Sequence, residues 1–331
     1  MSNSPPSGTY VLGPNQYGKA ECRLVRIERD TPVHAIADLN VSTQLRGDFT
    51  PAFTDGDNGH VHATDTQKNT VYALAKEHGV LSPEAFLLVL AGHWRAQAWV
   101  TGTQMSAEQY AWEPIGAGTG GAGHSFARTG RETRTAVVQT DGEETFVLGG
   151  LTDLTVLKST GSEFSGFPRD GFTTLAETTD RILATSVTAW WRYTSTDLDW
   201  NAAHSAVRTA LVDAFAGTHS LALQQTIHAM GAAAMDAVPE IAEMRISCPN
   251  KHHFEVDLTP FAMSNGGEVF VAADRPYGLI QAPSSGPAPP PSPAPGPPCR
   301  HSRERSGSGN RMRAPHPRRR NAGRRGDRVS D

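Results

Sequence analysis

The chain has little with which to build a membrane span, a disulfide scaffold or a nucleic-acid-binding core. No segment approaches eighteen consecutive apolar residues, roughly the length a helix needs to cross a bilayer. Only three cysteines occur among 331 residues, Cys22, Cys248 and Cys299. They are scattered, and fit a reducing compartment better than a cross-linked framework. Hydrophobic residues make up 38 % of the chain, which is low for this length. The shortage is local, because the C-terminal stretch holds almost nothing that could enter a core, and the remainder is long enough to build a sizeable one. Met1–Thr9 is small and polar with no apolar stretch behind it, so it does not read as a secretory leader. The final Val329-Ser330-Asp331 does not read as a peroxisomal address. Together these absences predict a cytoplasmic protein.

Charge is unevenly distributed. The net value is −4, yet from Gln281 onward eleven arginines face three acids, a surplus of +8 that leaves the rest near −12. An acidic body argues against nucleic-acid binding by the core. Ser284–Pro298 reads S-S-G-P-A-P-P-P-S-P-A-P-G-P-P, a composition suited to polyproline II and to neither helix nor sheet. Composition therefore predicts disorder over residues 1–9 and a disordered Pro/Arg-rich tail over 283–331. Length suggests about two units of roughly 150 residues.

Between those ends the pattern alternates. Cys22–Arg29 and His34–Leu45 read as a hairpin of half-buried strands. Gln67–Glu77 reads as a helix that Gly79 ends. A second helix opens at Ser82-Pro83-Glu84, with serine as N-cap, proline at the first helical position and an acid in the first turn, and runs to about Trp99. Extended stretches near Gln104–Glu113 and Glu132–Thr140 flank a glycine-rich turn at Gly116–Gly123. Further on, Thr145–Lys158 is extended, Asp199–Phe215 and Ser220–Ala237 are helical, and Glu243–Ser247, Phe254–Leu258 and Glu268–Ala273 are short strands. Strands alternating with helix pairs predict an α+β architecture, antiparallel sheets with helices on one face. The repeated order suggests an internal duplication into halves at 10–140 and 141–282.

Five segments carry the chemistry. In Asn15-Gln16-Tyr17-Gly18-Lys19 the lysine is either a solvated loop residue or a base. Ala63–Lys76, A-T-D-T-Q-K-N-T-V-Y-A-L-A-K, opens a helix where Thr64 and Asp65 either cap it or present N–H groups to an anion. In the Leu157–Leu183 region, Phe164 either packs in the core or stacks on a flat ring. Arg181 there is either a surface ion-pair partner or a fork onto a carbonyl and ring nitrogen. Gln224, near the start of a helix, is solvated or reads an amide edge. In Pro249-Asn250-Lys251-His252-His253 the two imidazoles point to opposite faces of a strand, so they do not chelate one ion. His60 and His62 share a face without a third ligand at metal spacing, so no metal site is expected.

These segments, in this order, closely resemble the urate oxidase (uricase) family. Y-G-K, L-N-V with G-D-F, A-T-D-T-Q-K-N-T, L-K-S-T with G-F and R-D, P-N-K-H and D-R-P-Y-G-L-I carry the likeness over roughly Tyr10 to Ile280. The resemblance implies two tandem tunnelling-fold (T-fold) halves per chain and a barrel-like homotetramer with active sites at chain interfaces. It also implies oxidation of urate by dioxygen and water to 5-hydroxyisourate and hydrogen peroxide, with no metal and no organic cofactor. On it, Lys19 is the base, Thr64 its partner and His252 the end of the relay. Arg181 and Gln224 clamp urate, Phe164 stacks on it, and Asn250 bounds the dioxygen or water site. Asp65 and Leu223 contribute backbone N–H groups; the family often has valine at the latter. Ile280 lines the pocket. The competing expectations are another T-fold enzyme acting on a pterin-like heterocycle, and a non-catalytic interaction protein whose basic tail binds anionic partners.

Overall fold

The computed structural model describes residues 10–116, 123–130, 132–273 and 275–286. The predicted disordered N-terminus, most of the glycine-rich turn and the tail from 287 lie outside the described residues.

The chain opens with a hairpin, β1 (Tyr17–Glu28) and β2 (Ala35–Gly47), followed by a short helix α1 (Thr50–Thr54) and the helix pair α2 (Thr64–His78) and α3 (Pro83–Arg95). Strand β3 (Val100–Tyr110), the small β4 (Trp112–Pro114) and β5 (Phe126–Arg128), and β6 (Thr133–Asp141) follow. Next come β7 (Glu144–Lys158), β8 (Leu183–Tyr193), the helix pair α4 (Trp200–Gly217) and α5 (Leu223–Ala237), and β9 (Ile241–Lys251). The described chain ends with β10 (His253–Glu255), β11 (Phe270–Ala272) and β12 (Gly278–Ser285).

Eight strands form one antiparallel sheet in the order β1-β2-β3-β6-β7-β8-β9-β12. Its register lines up a long buried row on the face that the helices cover. Thr43 pairs with Met105, Met105 with Val138 and Val138 with Val147. Two residues along β7, Gly149 pairs with Trp191, and Trp191 with Met244. The helices bury Val71, Leu87, Leu90, Trp94, Leu211 and Ile227 against this face in a single apolar cluster. The opposite face presents Gln44, Gln104 and Gln139 in one row and Ser42 and Ser106 in the next. In β2 and β3 the alternation is the period-two pattern expected of a sheet covered on one side, whereas β6 is buried on both faces over Thr135–Thr140. Strands β1 and β12 are the edges, and Pro283 in β12 sits where an edge tolerates a missing N–H.

The N-terminus of α3 forms as expected: Ser82 Oγ accepts from Ala85 N–H at 3.1 Å, with Pro83 and Glu84 behind it. Four expectations are corrected. Helix α3 stops at Arg95 rather than near Trp99, because Gln97 N–H and Val100 N–H turn back onto Trp94 and Gln97 carbonyls and the Trp99 carbonyl accepts from Asp48. Strand β8 was not foreseen. Neither was β12, which carries the sheet to Ser285 and so ends the predicted disorder at 283 as a boundary. The N-cap of α2 is Ala63, so Thr64 and Asp65 are inside the helix and neither caps it.

One buried ion pair ties the two helix pairs together. Arg134 on β6 donates to Glu84 Oε2 at 2.7 Å, to Asn201 Oδ1 at 2.7 Å and to the Trp200 carbonyl at 3.0 Å. Glu84 is fully buried, and burial pushes its carboxyl upward while Arg134 pulls it back. Removing one partner strands the other charge, so Arg134→Ala should cost about 3–5 kcal/mol in urea unfolding.

Nearby, His204 donates to the Gly150 carbonyl, and burial pushes its pKa down to about 3, helped by the charges of Arg134 and Arg208. The unfolded chain protonates this histidine near pH 6.5 and the fold resists it until about 3. Stability is therefore lost as pH falls between those values, at up to about 1.4 kcal/mol per pH unit. Unfolding at near-neutral and mildly acidic pH should show a shallower acid loss in His204→Gln.

Candidate active site

The site residues fall into two groups, one on the β1 edge strand and the start of α2, the other drawn from the β7–β8 connection, the start of α5, the end of β9 and β12. At the β1 edge, Gly18 packs so closely that a Cβ there would lie 1.7 Å from the Thr43 carbonyl oxygen; only glycine fits before Lys19. Lys19 pairs with Thr43, and a bulge follows at once, with Ala20 and Glu21 opposing Ser42. Glu21 adopts a φ of 58° there, and its N–H bonds Ser42 Oγ at 3.0 Å. A bulge at this point ends the regular alternation and re-aims the strand next to the lysine. Lys19 is half-buried; Thr64 and Asp65, in the first turn of α2, are exposed. The Asp65 carboxylate is tied back along its own helix to Lys68 and Asn69. Lys68 holds it below the usual carboxylate range, with a smaller contribution from the Lys19 charge, so Lys19 and Asp65 are electrostatic neighbours.

The second group is assembled by backbone bonds around Ser220. Ser220 N–H donates to the Gly161 carbonyl at 3.0 Å, and Glu163 N–H donates to the Ser220 carbonyl at 2.7 Å. Arg181 N–H donates to the Ser162 carbonyl at 2.8 Å, and Phe164 pairs with Thr178. These bonds draw Phe164, Arg181 and the start of α5, with Leu223 and Gln224, into one region. The Arg181 guanidinium lies over the Phe164 ring at 5.1 Å, and Phe167 stacks on that ring at 4.9 Å and 14°. Arg181 makes no ion pair among the described residues, and its buried Nε has no hydrogen-bond partner. Burial lowers the His252 pKa, and so does the neighbouring Arg181 charge; its ring stacks on Phe254 at 5.8 Å. Asn250 on β9 pairs with Thr185 and Gly278, and Ile280 on β12 with Cys248. Helix α5, like α2, begins without a cap from its N-cap side chain, here Ala222.

Among the described residues no hydrogen bond, ion pair or ring contact joins the two groups. His60 and His62 both stack on the Trp99 indole, at 5.1 and 5.6 Å, which explains their shared face. Sequence reasoning gave no role to Phe167, although it lies in the G-F motif, or to the buried Thr43, Gln67, Ser220 and Thr226.

The Uricase family model matches residues 15–139 and 147–281. The uricase of Arthrobacter globiformis is 57 % identical over 273 residues, covering 82 % of this chain and 89 % of that protein. The uricase of Oryctolagus cuniculus is 35 % identical over 272 residues, 80 % of this chain and 91 % of that one. The crystal structure of the Arthrobacter globiformis uricase superposes with a TM-score of 0.82 at 54 % identity, covering 88 % of this chain and 99 % of the other. The chain belongs to the uricase family.

The Arg181–His252 pairing has a measurable consequence. His252 should titrate below its ordinary value near 6.5 in imidazole NMR, and Arg181→Ala should move its pKa upward by relieving the charge.

Proposed function

We propose that this chain is a urate oxidase. It converts urate, dioxygen and water to 5-hydroxyisourate and hydrogen peroxide, using neither metal nor organic cofactor. Family membership supports the activity. The observation that carries the assignment of the site is the half-buried Arg181 guanidinium, held over Phe164 beside His252 with a buried Nε–H left over.

Urate is flat and monoanionic near neutral pH. Arg181 neutralises the anion and forks onto a carbonyl oxygen and ring nitrogen. Gln224 reads the opposite amide edge, Phe164 holds the plane, and the backbone N–H groups of Asp65 and Leu223 meet the substrate at two uncapped helix starts. Ile280 closes the wall. Positioning of this kind supplies several kcal/mol. Triplet dioxygen reacts poorly with closed-shell molecules, so the substrate itself must become the reductant. Loss of a second proton raises its electron density enough to release an electron. Lys19, in its neutral form, takes that proton, and Thr64 passes it to His252. A His252 imidazole kept neutral by burial and by Arg181 is the right acceptor. Asn250 bounds the space over the ring where dioxygen, and later water, sits.

The first group lies on the β1 edge strand and α2 and the second towards the β9–β12 side of the same sheet, so β1 of one copy set against β12 of another would bring them together. We therefore read the chain as two tandem T-fold halves, 10–140 and 141–282, assembled into a barrel-like homotetramer with interfacial sites. The pterin alternative has no comparable support. The expected result is loss of urate absorbance with matched peroxide formation in metal-chelated buffer. Lys19→Met should keep urate binding within about twofold and lower turnover by at least about a hundredfold; near-normal turnover would refute the base assignment.

A further inference from the structure

We propose that two buried polar contacts, Thr43 with Gln67 and Ser220 with Thr226, are positioning devices for the reacting groups. The first serves turnover and the second serves urate affinity. The inference rests on the roles proposed for Lys19 and Arg181.

Both contacts occupy the same place in a helix. Gln67 is the fourth residue of α2, counted from Thr64, and Thr226 the fourth of α5, counted from Leu223. All four side chains are fully buried. Thr43 Oγ1 donates to Gln67 Oε1 at 2.7 Å, and Thr226 Oγ1 donates to Ser220 Oγ at 2.8 Å. Inside an apolar core such a bond adds little net stability, because both partners first give up water; apolar groups of the same shape would serve packing as well. What the bond adds is a fixed distance. Neither helix is capped by its N-cap side chain, so the buried bond is a side-chain tie between each first turn and the strand or loop beneath it, joined in α5 by Leu221 N–H donating to Gln225 Oε1 at 2.9 Å.

The strand ends of these ties are informative. Thr43 is the cross-strand partner of Lys19, and Gln67 lies one turn from Thr64. The Thr43–Gln67 bond therefore spans from the strand position beside the base to the helical turn carrying its hydroxyl partner. Ser220 is the residue around which Gly161, Glu163 and, through Ser162, Arg181 are bonded. The Ser220–Thr226 bond therefore fixes Leu223 and Gln224 relative to Phe164 and Arg181. The first pair touches the proton path and the second touches the clamp, so their loss should read out differently.

The test is steady-state kinetics with melting temperature on the full-length protein. The double variant Thr43→Val/Gln67→Leu should fold, lose about tenfold or more in kcat and keep KM within about twofold. Thr226→Val should raise KM about fivefold or more with kcat largely kept, and Thr226→Ser should restore KM. In a Lys19→Met background the Thr43→Val/Gln67→Leu change should cause no further loss, since a residue acting through the base has nothing left to act on. Wild-type kinetics in both variants would overturn the proposal. So would parallel changes in kcat and KM in both, or an equal loss with and without Lys19. If the double variant does not fold, Thr43→Ser against Thr43→Ala gives the contrast: serine keeps kcat and alanine loses it, and equal kcat overturns the first half. Normal turnover in Lys19→Met alone would sink the functional reading, and the first half of this proposal with it.

Discussion

A sheet that carries all its long helices on one face must satisfy its other face and its two edges by other means. That constraint organises this chain. The covered side is a single apolar cluster running from Cys22 on β1 to Cys248 on β9. The uncovered side carries glutamine and serine on β2 and β3 and gives way to Val137, Phe146, Leu148 and Trp190 towards the middle of the sheet. Among the described residues the edges, β1 and β12, hold open rows of backbone donors and acceptors. Lys19 sits on one edge strand, and Ile280 on the other with Asn250 paired beside it. Chemistry placed at the open edges of a sheet is chemistry that a second copy can complete.

Arg181 carries two loads in this arrangement. Its charge depresses the basicity of His252, and in the proposed mechanism the same charge meets the urate anion. Folding leaves its Nε without a partner, a cost of about 1–3 kcal/mol for a buried donor. Natural proteins accept such local penalties at functional sites. The lack of a carboxylate partner among the described residues distinguishes this arginine from Arg134, whose terminal nitrogens reach the Glu84 carboxylate, an amide and a carbonyl and serve architecture.

Legibility in the sequence followed the range of the forces involved. The start of α3 was legible because Ser82, Pro83 and Glu84 act within one turn. The spans of α4 and α5 were legible because their apolar spacing is set by their own helix. Strand β12 was not, since G-L-I-Q-A-P-S-S has weak strand character and owes its conformation to the ladder with β9. The cap of α2 was misplaced by one residue because Thr64 and Asp65 are good capping residues locally, yet the backbone starts helical geometry after Ala63 and Lys68 and Asn69 claim the carboxylate. For the site, single segments were ambiguous between bland and chemical readings, and the family likeness of the set decided among them. The buried pairs at Gln67 and Thr226 were invisible because a hydrogen bond between distant segments leaves no periodic trace.

Pro283 lends the last edge a further property. A strand adding to β12 meets a row of hydrogen-bond donors with one tooth missing. Registers that require a donor at that tooth are penalised, and those that place a carbonyl elsewhere are spared. The edge is thus keyed as well as open: it favours a limited set of alignments with an incoming copy and discourages the indefinite stacking of sheets that leads to fibres.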